Sequence, residues 1–583
     1  MLSFPQEYFK DEIRSDFNVS EMMKRTWAAH LRILDELKVL FDKYGLTYYA
    51  DFGTLLGAVR HKGIIPWDDD IDISMPRKDF MTLLEHGDEI GGGLCIRSIY
   101  SSDTFTNFHA VATHKVDTLK WDEWRMKEYF GCPFICYIDI FPMDYIPRDG
   151  EKRKFHQQLY SYSYKMVHDC VDMEEKVFDG RLITLKELKA SNDENISETK
   201  LLGDFKEHID GLEGFIDRFL DGKIRINPDK PLRNQLCRVT EHIATMFEEK
   251  DADYVDYCPH MAYSEDDLSR KKEWVKETIL LPFEVTEIAV PKFYHEVLVT
   301  RFGDGYMIPR HEPSTHDYPY FRTQVEVLIG GDTGEGVKPD TTAEPLLETV
   351  DTLIEAHEVF GSLAEQQNQA LNLLADLQDG AVSVGEAVEN IAGEGTSTVG
   401  KLEKYCEGIF TLYNLLPEKN HDDKEIKDKN DELKALLEAV KKSIRKEVHE
   451  AVPSGWIEKI KEKSLIYGIS AADILTHGME SAEKLRASFK VFDENSDNLC
   501  VFLCLPAGFD EFLTKCGMEE LLKSYTETIE EIKGKDYLIV PSESELSLAV
   551  SVCDGYYGDK CQLMEACRKA KKPVMIQDYE IKS

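Results

Sequence analysis

The chain has 583 residues, of which 42% are hydrophobic and 31% charged. This composition is typical of globular proteins and excludes a disordered or collagenous chain. The length exceeds what one hydrophobic core holds, so we expect roughly three to four folded units. The 109 acidic residues outnumber the 70 basic ones and give a net charge of −39, which argues against a nucleic-acid partner. A phosphate-bearing ligand therefore needs local cations, a metal ion or backbone N–H groups.

The sequence also bears on where the protein works. Residues 1–20 lack a basic start followed by an apolar core, and no apolar run approaches ~18 residues. The 13 cysteines are scattered, which predicts reduced thiols rather than a disulfide framework. Cys132 and Cys136 form at most half of a metal site, because no nearby Cys/His pair completes it. We expect a cytoplasmic protein without a transmembrane segment, and peripheral association with the inner membrane face stays open.

The first region opens with an amphipathic helix that should end at Gly45, followed by a strand over Tyr48–Phe52 and a short helix over Leu55–Arg60. Gly53 and Thr54 open this second helix. A glycine and a hydroxyl residue at a helix start let backbone N–H groups approach a phosphate, so both are candidates for phosphate binding.

An acid-rich segment follows. If Asp68–Ile73 forms a strand, Asp70 and Asp72 point to the same face, and Asp139 lies in the middle of a further strand. Neighbouring carboxylates repel each other unless a proton or a cation lies between them, and oxygen ligands favour Mg²⁺ or Mn²⁺. We therefore expect Asp70, Asp72 and Asp139 to be metal ligands and catalytic residues.

Two basic residues, Arg60 and Lys62, precede the acids and could neutralise phosphate oxygens that the metal ion does not hold. Taken alone, an Asp-rich turn is more often a solvated loop or a helix N-cap. The combination of Gly-Thr at a helix start, alternating acids and a further strand acid indicates a metal-dependent phosphoryl- or nucleotidyl-transfer site.

The segment GTLLGAVRHKGIIPWDDDIDI resembles the signature of the LicD family, the bacterial phosphocholine transferases related to the eukaryotic fukutins. IDIFPMD resembles the family's second block, and residues 302–309 resemble its closing block. The resemblance covers about residues 20–325. It implies that residues 1–328 form a nucleotidyltransferase-type α/β domain, in which a mixed sheet carries the acids and helices cover it.

The resemblance also implies an activity: transfer of phosphocholine from CDP-choline to a hydroxyl of a cell-surface glycan or glycolipid precursor, with release of CMP. Teichoic acid and lipopolysaccharide are both acceptors of this kind. Gly53 and Thr54 would then form the donor-phosphate loop, Asp70 and Asp72 the principal metal ligands, and Asp139 a third ligand or the general base. Three alternatives stay open, namely a CDP-ribitol or CDP-glycerol donor, an NTP-dependent nucleotidyltransferase acting on a small molecule, and a non-catalytic scaffold of a surface-polymer assembly complex.

Aromatic side chains near the acids are candidates for choline binding. A quaternary ammonium group cannot donate hydrogen bonds, so proteins usually hold it against aromatic faces. Trp67 precedes the first acid block, and Trp121, Trp124 and Tyr129 lie between the two blocks. Ordinary packing is the alternative role for these rings.

Beyond this domain, glycines indicate a linker at residues 329–340. Residues 341–464 have apolar positions at helical spacing and predict an acidic helical region, a candidate surface for homo-oligomer formation. In residues 465–583, predicted strands near 498–505, 536–540 and 572–577 alternate with helices. This alternation predicts a small, doubly wound, Rossmann-like α/β domain.

Residues 552–577 resemble the last nucleotide-binding segment of GT-B transferases, which include CDP-glycerol polymerases. In this chain Asp559, Lys560 and Cys561 stand where that segment has a pair of serines. An acid at a helix start disfavours phosphate. We therefore expect a docking or regulatory role for residues 465–583.

Overall fold

The computed structural model describes residues 2–191 apart from Asp117, 225–310 apart from Glu265, 319–329, and 452–577 apart from Lys571. It also describes scattered helical positions within 202–216, 367–371, 406–409 and 427–439. The chain divides into two compact units, Met1–Gln324 and Val325–Ser583. Within the described ranges, no helix combines the length and the apolar character that crossing a membrane requires. The cysteines are free thiols, as predicted.

The first unit opens with a hairpin of β1 (Glu12–Arg14) and β2 (Phe17–Val19), followed by helix α1 (Glu21–Tyr44). The hydroxyl of Ser20 accepts a hydrogen bond from the Met23 amide and caps the start of α1. Gly45, with φ of 62°, ends the helix in the left-handed conformation that favours glycine. The predicted apolar face of α1 is buried, so the sequence pattern identified this helix correctly.

A mixed sheet forms the centre of the first unit. In the described part of the chain its strands are β3 (Tyr49–Ala50), β4 (Asp72–Pro76), β5 (Leu94–Arg97), β6 (Ala110–His114), β7 (Tyr137–Pro147), β8 (Ala252–Asp256) and β9 (Arg270–Lys271). Their order is β3-β4-β7-β6-β5, and β8 followed by β9 extends the sheet from β7. Strands β4 and β7 run parallel, whereas the other pairs are antiparallel.

Helices accompany this sheet. The described ones of the first unit are α2 (Phe52–Arg60), α3 (Arg77–Glu85), α4 (Glu123–Glu128), α5 (Gly150–Val177), α6 (Leu185–Ala190), α7 (Leu232–Ala244), α8 (His260–Tyr263), α9 (Lys272–Val275) and α10 (Tyr294–Phe302), and the boundary between the units falls within α11 (Arg322–Ile329). A separate hairpin, β10 (Thr278–Phe283) and β11 (Thr286–Pro291), precedes α10. Arg77 of α3 pairs with Asp144 of β7 and Glu241 of α7, so one buried ion cluster joins two helices to the sheet.

The second unit contains a parallel sheet. Its described strands are β12 (Lys463–Gly468), β13 (Leu499–Cys504), β14 (Leu538–Ile539), β15 (Gly555–Gly558) and β16 (Val574–Ile576). The order β14-β13-β12-β15-β16, with every pair parallel, confirms the predicted doubly wound α/β architecture. The accompanying helices are α12 (Ser454–Ile457), α13 (Ala471–His477), α14 (Met479–Glu494), α15 (Phe509–Cys516), α16 (Glu519–Lys533), α17 (Leu546–Val552) and α18 (Gln562–Lys569).

The predicted acidic helical region, 341–464, lies mostly outside the described residues, as does most of the predicted linker 329–340. The described apolar positions of that region pack into the core of the second unit, Leu433 and Leu437 among them. Trp456 also packs there, with its ring 5.1 Å from that of Phe502. Elements that belong to the α/β core therefore begin before residue 465. Self-association through the central helices stays a prediction.

Candidate active site

The site begins where β3 turns into α2. Asp51 caps this helix, since its carboxylate accepts a hydrogen bond from the Phe52 amide. The same carboxylate forms a buried ion pair with Arg270 of β9, at 2.8 Å, and accepts a hydrogen bond from the Ser74 hydroxyl. Burial alone would raise the pKa of Asp51, but the Arg270 guanidinium and the Ser74 hydroxyl lower it overall. Asp51 therefore stays ionised and fixes the start of α2 against the sheet.

The acid segment is a loop that leads into a strand. Strand β4 begins only at Asp72, so the expectation that Asp70 lies on the strand was wrong. The reason is a competing anchor, because the buried Asp69 carboxylate accepts a hydrogen bond from the Tyr320 amide at 2.6 Å. This contact anchors the loop before the ladder begins, and the Ile71 carbonyl, which accepts from the Asp139 amide at 3.3 Å, makes the first hydrogen bond to β7. Asp70 nevertheless stays close enough to Asp72 and Asp139 to affect the ionisation of both.

Asp72 and Asp139 face each other across neighbouring strands. They are register partners in the parallel pair β4–β7, and directly paired residues project to the same face of a sheet. The Thr54 hydroxyl accepts a hydrogen bond from the Asp72 amide at 2.8 Å, so helix α2 also fixes the position where β4 starts. The prediction that Asp139 lies on a strand is confirmed, but it is the third of the 11 residues of β7 and so lies near the start of that strand.

The protonation of these acids reflects their crowding. Burial, followed by the charge of Asp70, raises the pKa of Asp139 to about 7. Burial and the charges of Asp70 and Asp139 hold the pKa of Asp72 well above its usual range. Burial and the charge of Asp70 likewise hold the pKa of Asp68 well above its usual range. A bound cation would relieve this repulsion and restore the ionised carboxylates.

The donor set fits a hard divalent cation. One carboxylate oxygen from each of Asp68, Asp69 and Asp70 lies within 4.8 Å of the other two, close enough to share an ion. Oxygen-only ligands of this kind suit Mg²⁺ or Mn²⁺. Among the described residues, the carboxylates that meet this distance criterion are thus those of the loop Asp68–Asp70. The sequence pointed instead to Asp70, Asp72 and Asp139. The assignment of Asp70, Asp72 and Asp139 as metal ligands stays a prediction.

The predicted phosphate-binding residues lie around the start and end of α2. A Cβ atom on Gly53 would lie 2.6 Å from the Asp68 carboxylate, so this glycine lets the acid loop approach the helix. Arg60 is engaged elsewhere, because its guanidinium donates to the Tyr306 carbonyl and to His61. The Lys62 side chain is exposed. Phosphate binding by Gly53, Thr54, Arg60 and Lys62 stays a prediction.

The four choline candidates have different surroundings, although Trp124 and Tyr129 lie beside the neighbouring glycines Gly93 and Gly92. Trp67 adjoins the acid loop, and its ring contacts Phe17 and His61 at 6.0 Å. Tyr129 is buried in the core and donates its hydroxyl to the Gly92 carbonyl. Trp124 packs beside Gly93 at the start of the edge strand β5, and Trp121 immediately precedes α4. Trp67 alone among the four adjoins the acid loop in sequence, and choline binding by this set stays a prediction.

Two residues near the acids were missed from the sequence. His109 precedes β6, and its Nε2 lies 3.6 Å from a carboxylate oxygen of Asp139. Burial lowers the pKa of His109 to about 4, so its ring is neutral at physiological pH. Arg301 of α10 lies over the Phe52 ring at 4.2 Å. No sequence signal could have revealed either, because both come from segments distant from the acid loop.

Comparison with known proteins agrees with this geometry. Residues 45–182 match the family described as LicD/FKTN/FKRP, nucleotidyltransferase domain. The lipopolysaccharide cholinephosphotransferase LicD of Haemophilus influenzae is 22% identical over 282 residues, which cover 48% of this chain and 90% of that relative. Uncharacterised proteins of Rickettsia typhi and Rickettsia prowazekii are 38% and 32% identical over 72 and 87 residues, and these stretches cover 23% and 33% of those relatives.

The mixed sheet and its facing acids define a nucleotidyltransferase-type domain. The match over residues 45–182 assigns that domain more narrowly, and the chain carries a domain of the LicD family. The resemblance seen in the sequence is thereby confirmed.

Proposed function

We propose that this protein transfers phosphocholine from CDP-choline to a hydroxyl group of a cell-surface glycan or glycolipid precursor, with Mg²⁺ or Mn²⁺ as cofactor and CMP as leaving group. The observation that carries the proposal is the register pairing of Asp72 with Asp139, beside Asp70. Lipopolysaccharide is the acceptor class that the name of the Haemophilus influenzae relative supports. We place the reaction in the cytoplasm, at the inner face of the membrane if the acceptor is lipid-linked.

The protein's part in such a reaction is mainly to position charges. Phosphoryl transfer requires little covalent chemistry from the enzyme, and alignment and neutralisation of charge supply most of the rate. Bound at the acids, a divalent cation would neutralise the diphosphate and favour departure of CMP. The residues Asp70 and Asp72 would hold that ion, and the α2 start, fixed by Asp51 and Thr54, would orient the donor beside them.

Asp139 is the candidate general base. Its register position opposite Asp72 places its carboxylate beside the proposed metal ligands, and a bound cation would keep that carboxylate ionised and able to accept a proton. In this role its carboxylate would accept the proton of the acceptor hydroxyl during in-line attack on the distal phosphorus. The neutral His109 ring at 3.6 Å would orient the carboxylate without competing as a cation. The alternative role of Asp139, as a third metal ligand, uses the same carboxylate.

The test is incubation of the protein with choline-labelled CDP-choline, Mg²⁺ and an envelope extract from the source cell. We expect label in a glycan fraction and one CMP released per label transferred. Asp72→Asn should abolish transfer, whereas Asp253→Asn, an exposed acid paired with Arg148, should not change it.

The outcomes separate the alternatives. Preference for CDP-ribitol or CDP-glycerol would make the protein a phospho-polyol transferase. Release of pyrophosphate from an NTP would make it a nucleotidyltransferase. Absence of any metal-dependent turnover would overturn the proposal in favour of a scaffold.

A further inference from the structure

Phe52 holds a strained backbone conformation at the edge of the acid site. Its φ is 47°, in the left-handed region that bulky residues rarely adopt. This conformation places its ring 4.8 Å from that of Phe141 on β7. Arg301 also contacts this ring, and its guanidinium carbon lies 4.2 Å from the ring centre. Strain of this kind persists where the surrounding structure enforces it and is frequent at functional sites.

The Arg301 side chain is half-buried, yet within the described residues no hydrogen bond or ion pair involves its guanidinium. The two carboxylates near it are already engaged. Asp51 pairs with Arg270, and Asp256 accepts hydrogen bonds from His260 and from the Tyr257 amide. Burial of a cation without an anionic partner costs free energy. An anion from solution would therefore find a guanidinium whose donors are available.

The location of Arg301 relates it to the acids. Phe141 follows Asp139 by two residues on the same strand, so both project to one face and lie roughly 7 Å apart along β7. The Phe52 ring contacts Phe141, and Arg301 contacts Phe52. Asp139, the rings of Phe141 and Phe52, and the Arg301 guanidinium thus follow one another in space, each beside the next. A guanidinium held over an aromatic ring keeps its in-plane N–H groups available for hydrogen bonds, and this planar fork can bind phosphate in a bidentate manner.

We propose that Arg301 binds the diphosphate of the donor and is a donor-positioning residue. This inference rests on the proposed function and deepens it. The sequence pointed to Arg60 for this task, but Arg60 donates to Tyr306 and His61. Burial lowers the pKa of Arg301, and the charges of Asp51 and Asp256 offset only part of this effect.

The test is calorimetric titration of the full chain with CDP-choline, CDP-ribitol and CDP-glycerol in the presence of Mg²⁺. We expect Arg301→Met to weaken binding of the preferred donor by about 10- to 100-fold, the usual loss for a charge-assisted hydrogen-bond pair. Arg301→Lys should recover part of the affinity, because it keeps the charge but not the planar fork. In turnover, the loss should appear as a raised KM for the donor more than a lowered kcat.

The matched control is Arg238→Met. Arg238 also lies on a helix and stacks on an aromatic ring, that of Tyr100 at 3.9 Å, but belongs to α7 and not to the acid site. Its replacement should leave donor affinity unchanged. Thermal unfolding of each variant shows whether the fold is retained, and Arg301→Lys carries the test if Arg301→Met does not fold.

The titration distinguishes failure of the proposed function from failure of the inference about Arg301. If the wild-type protein binds no CDP-alcohol, the proposed function and this inference both fall. If it binds a donor and Arg301→Met and Arg301→Lys bind that donor with the wild-type affinity, the inference alone is overturned. Loss of turnover with unchanged donor affinity would likewise overturn it, since the guanidinium would then act on the acceptor.

Discussion

At the scale of one residue, ionisation of Asp139 lowers the stability of the fold, and the same carboxyl is the proposed general base. Its carboxyl lies near Asp70 and Asp72 in a half-buried position, and its pKa is raised to about 7. A carboxyl whose pKa is higher in the folded state than in the unfolded state destabilises the fold whenever it is ionised. This loss of stability is largest above the pKa of the folded state, decreases as the pH falls below that value, and is absent below the pKa of the unfolded state, about 4.

We therefore expect Asp139→Asn to stabilise the metal-free protein while it abolishes transfer. At pH 8 in EDTA, the free energy of unfolding should rise by about 2–4 kcal/mol, where the upper bound corresponds to a pKa raised from about 4 to about 7, and the gain should shrink as the pH is lowered towards 4. Urea unfolding at several pH values measures it. The control Asp253→Asn, at an exposed carboxyl, should change stability by less than about 0.5 kcal/mol. A destabilised Asp139→Asn at pH 8 would show that the acids do not repel one another.

Residue-level prediction succeeded for the strand positions of Asp72 and Asp139, because strand alternation among buried isoleucines is a local rule. It failed for Asp70, which lies in the loop before β4. The proximity of His109 and Arg301 could not be predicted from the sequence. Their place beside the acids depends on the pairing of β6 with β7 and on the packing of α10 against α2, which no short segment encodes.

At the scale of elements, the start of α2 depends on one buried ion pair. Asp51 caps the helix and pairs with Arg270 of β9, and both side chains are almost fully buried. Removing one partner leaves the other charge buried and unpaired, which costs far more than the loss of a cap alone.

We expect Asp51→Ala to destabilise the protein by about 3–5 kcal/mol. Asp122→Ala removes a comparable N-cap, on α4, without an ion pair, and should cost about 1 kcal/mol. Chemical denaturation compares the two. In the double variant Asp51→Ala with Arg270→Met, part of the lost stability should return, because the unpaired charge is gone. Equal costs for the two single variants would contradict a structural role for the ion pair.

Element prediction was accurate where one segment determines its own structure. Helix α1 was identified by its apolar face and by Gly45, both local signals. Strand β4 was expected to include Asp70 but starts at Asp72, because the Tyr320 amide binds the loop through Asp69. An anchor from a residue 251 positions away in sequence lies beyond any local rule. Strand β12, the centre of the second sheet, was also not predicted.

At the scale of the whole molecule, the site belongs to one compact unit. Its acids, the α2 start, His109 and Arg301 all lie within Met1–Gln324. The segment at the end of this unit contributes as well. Tyr320 binds the acid loop, and the Phe321 ring stacks on Phe134 at 4.5 Å.

A chain of residues 1–329 should therefore bind the donor within about threefold of the full-length affinity, a difference of ~0.6 kcal/mol. A chain of residues 1–310 should bind it much more weakly, because the anchor of the acid loop is absent. Calorimetry and circular dichroism on both fragments check this. A folded 1–329 fragment without donor affinity would show that the second unit completes the site.

The most direct test of the account is the binding of Mg²⁺ by the protein in the presence of CDP-choline. Calorimetric titration should show metal binding that depends on the donor in the wild-type protein. It should be lost in Asp70→Asn and Asp72→Asn and kept in Asp253→Asn. Unchanged metal binding in both site variants would contradict the claim that these carboxylates bind the cation at which the donor diphosphate is cleaved.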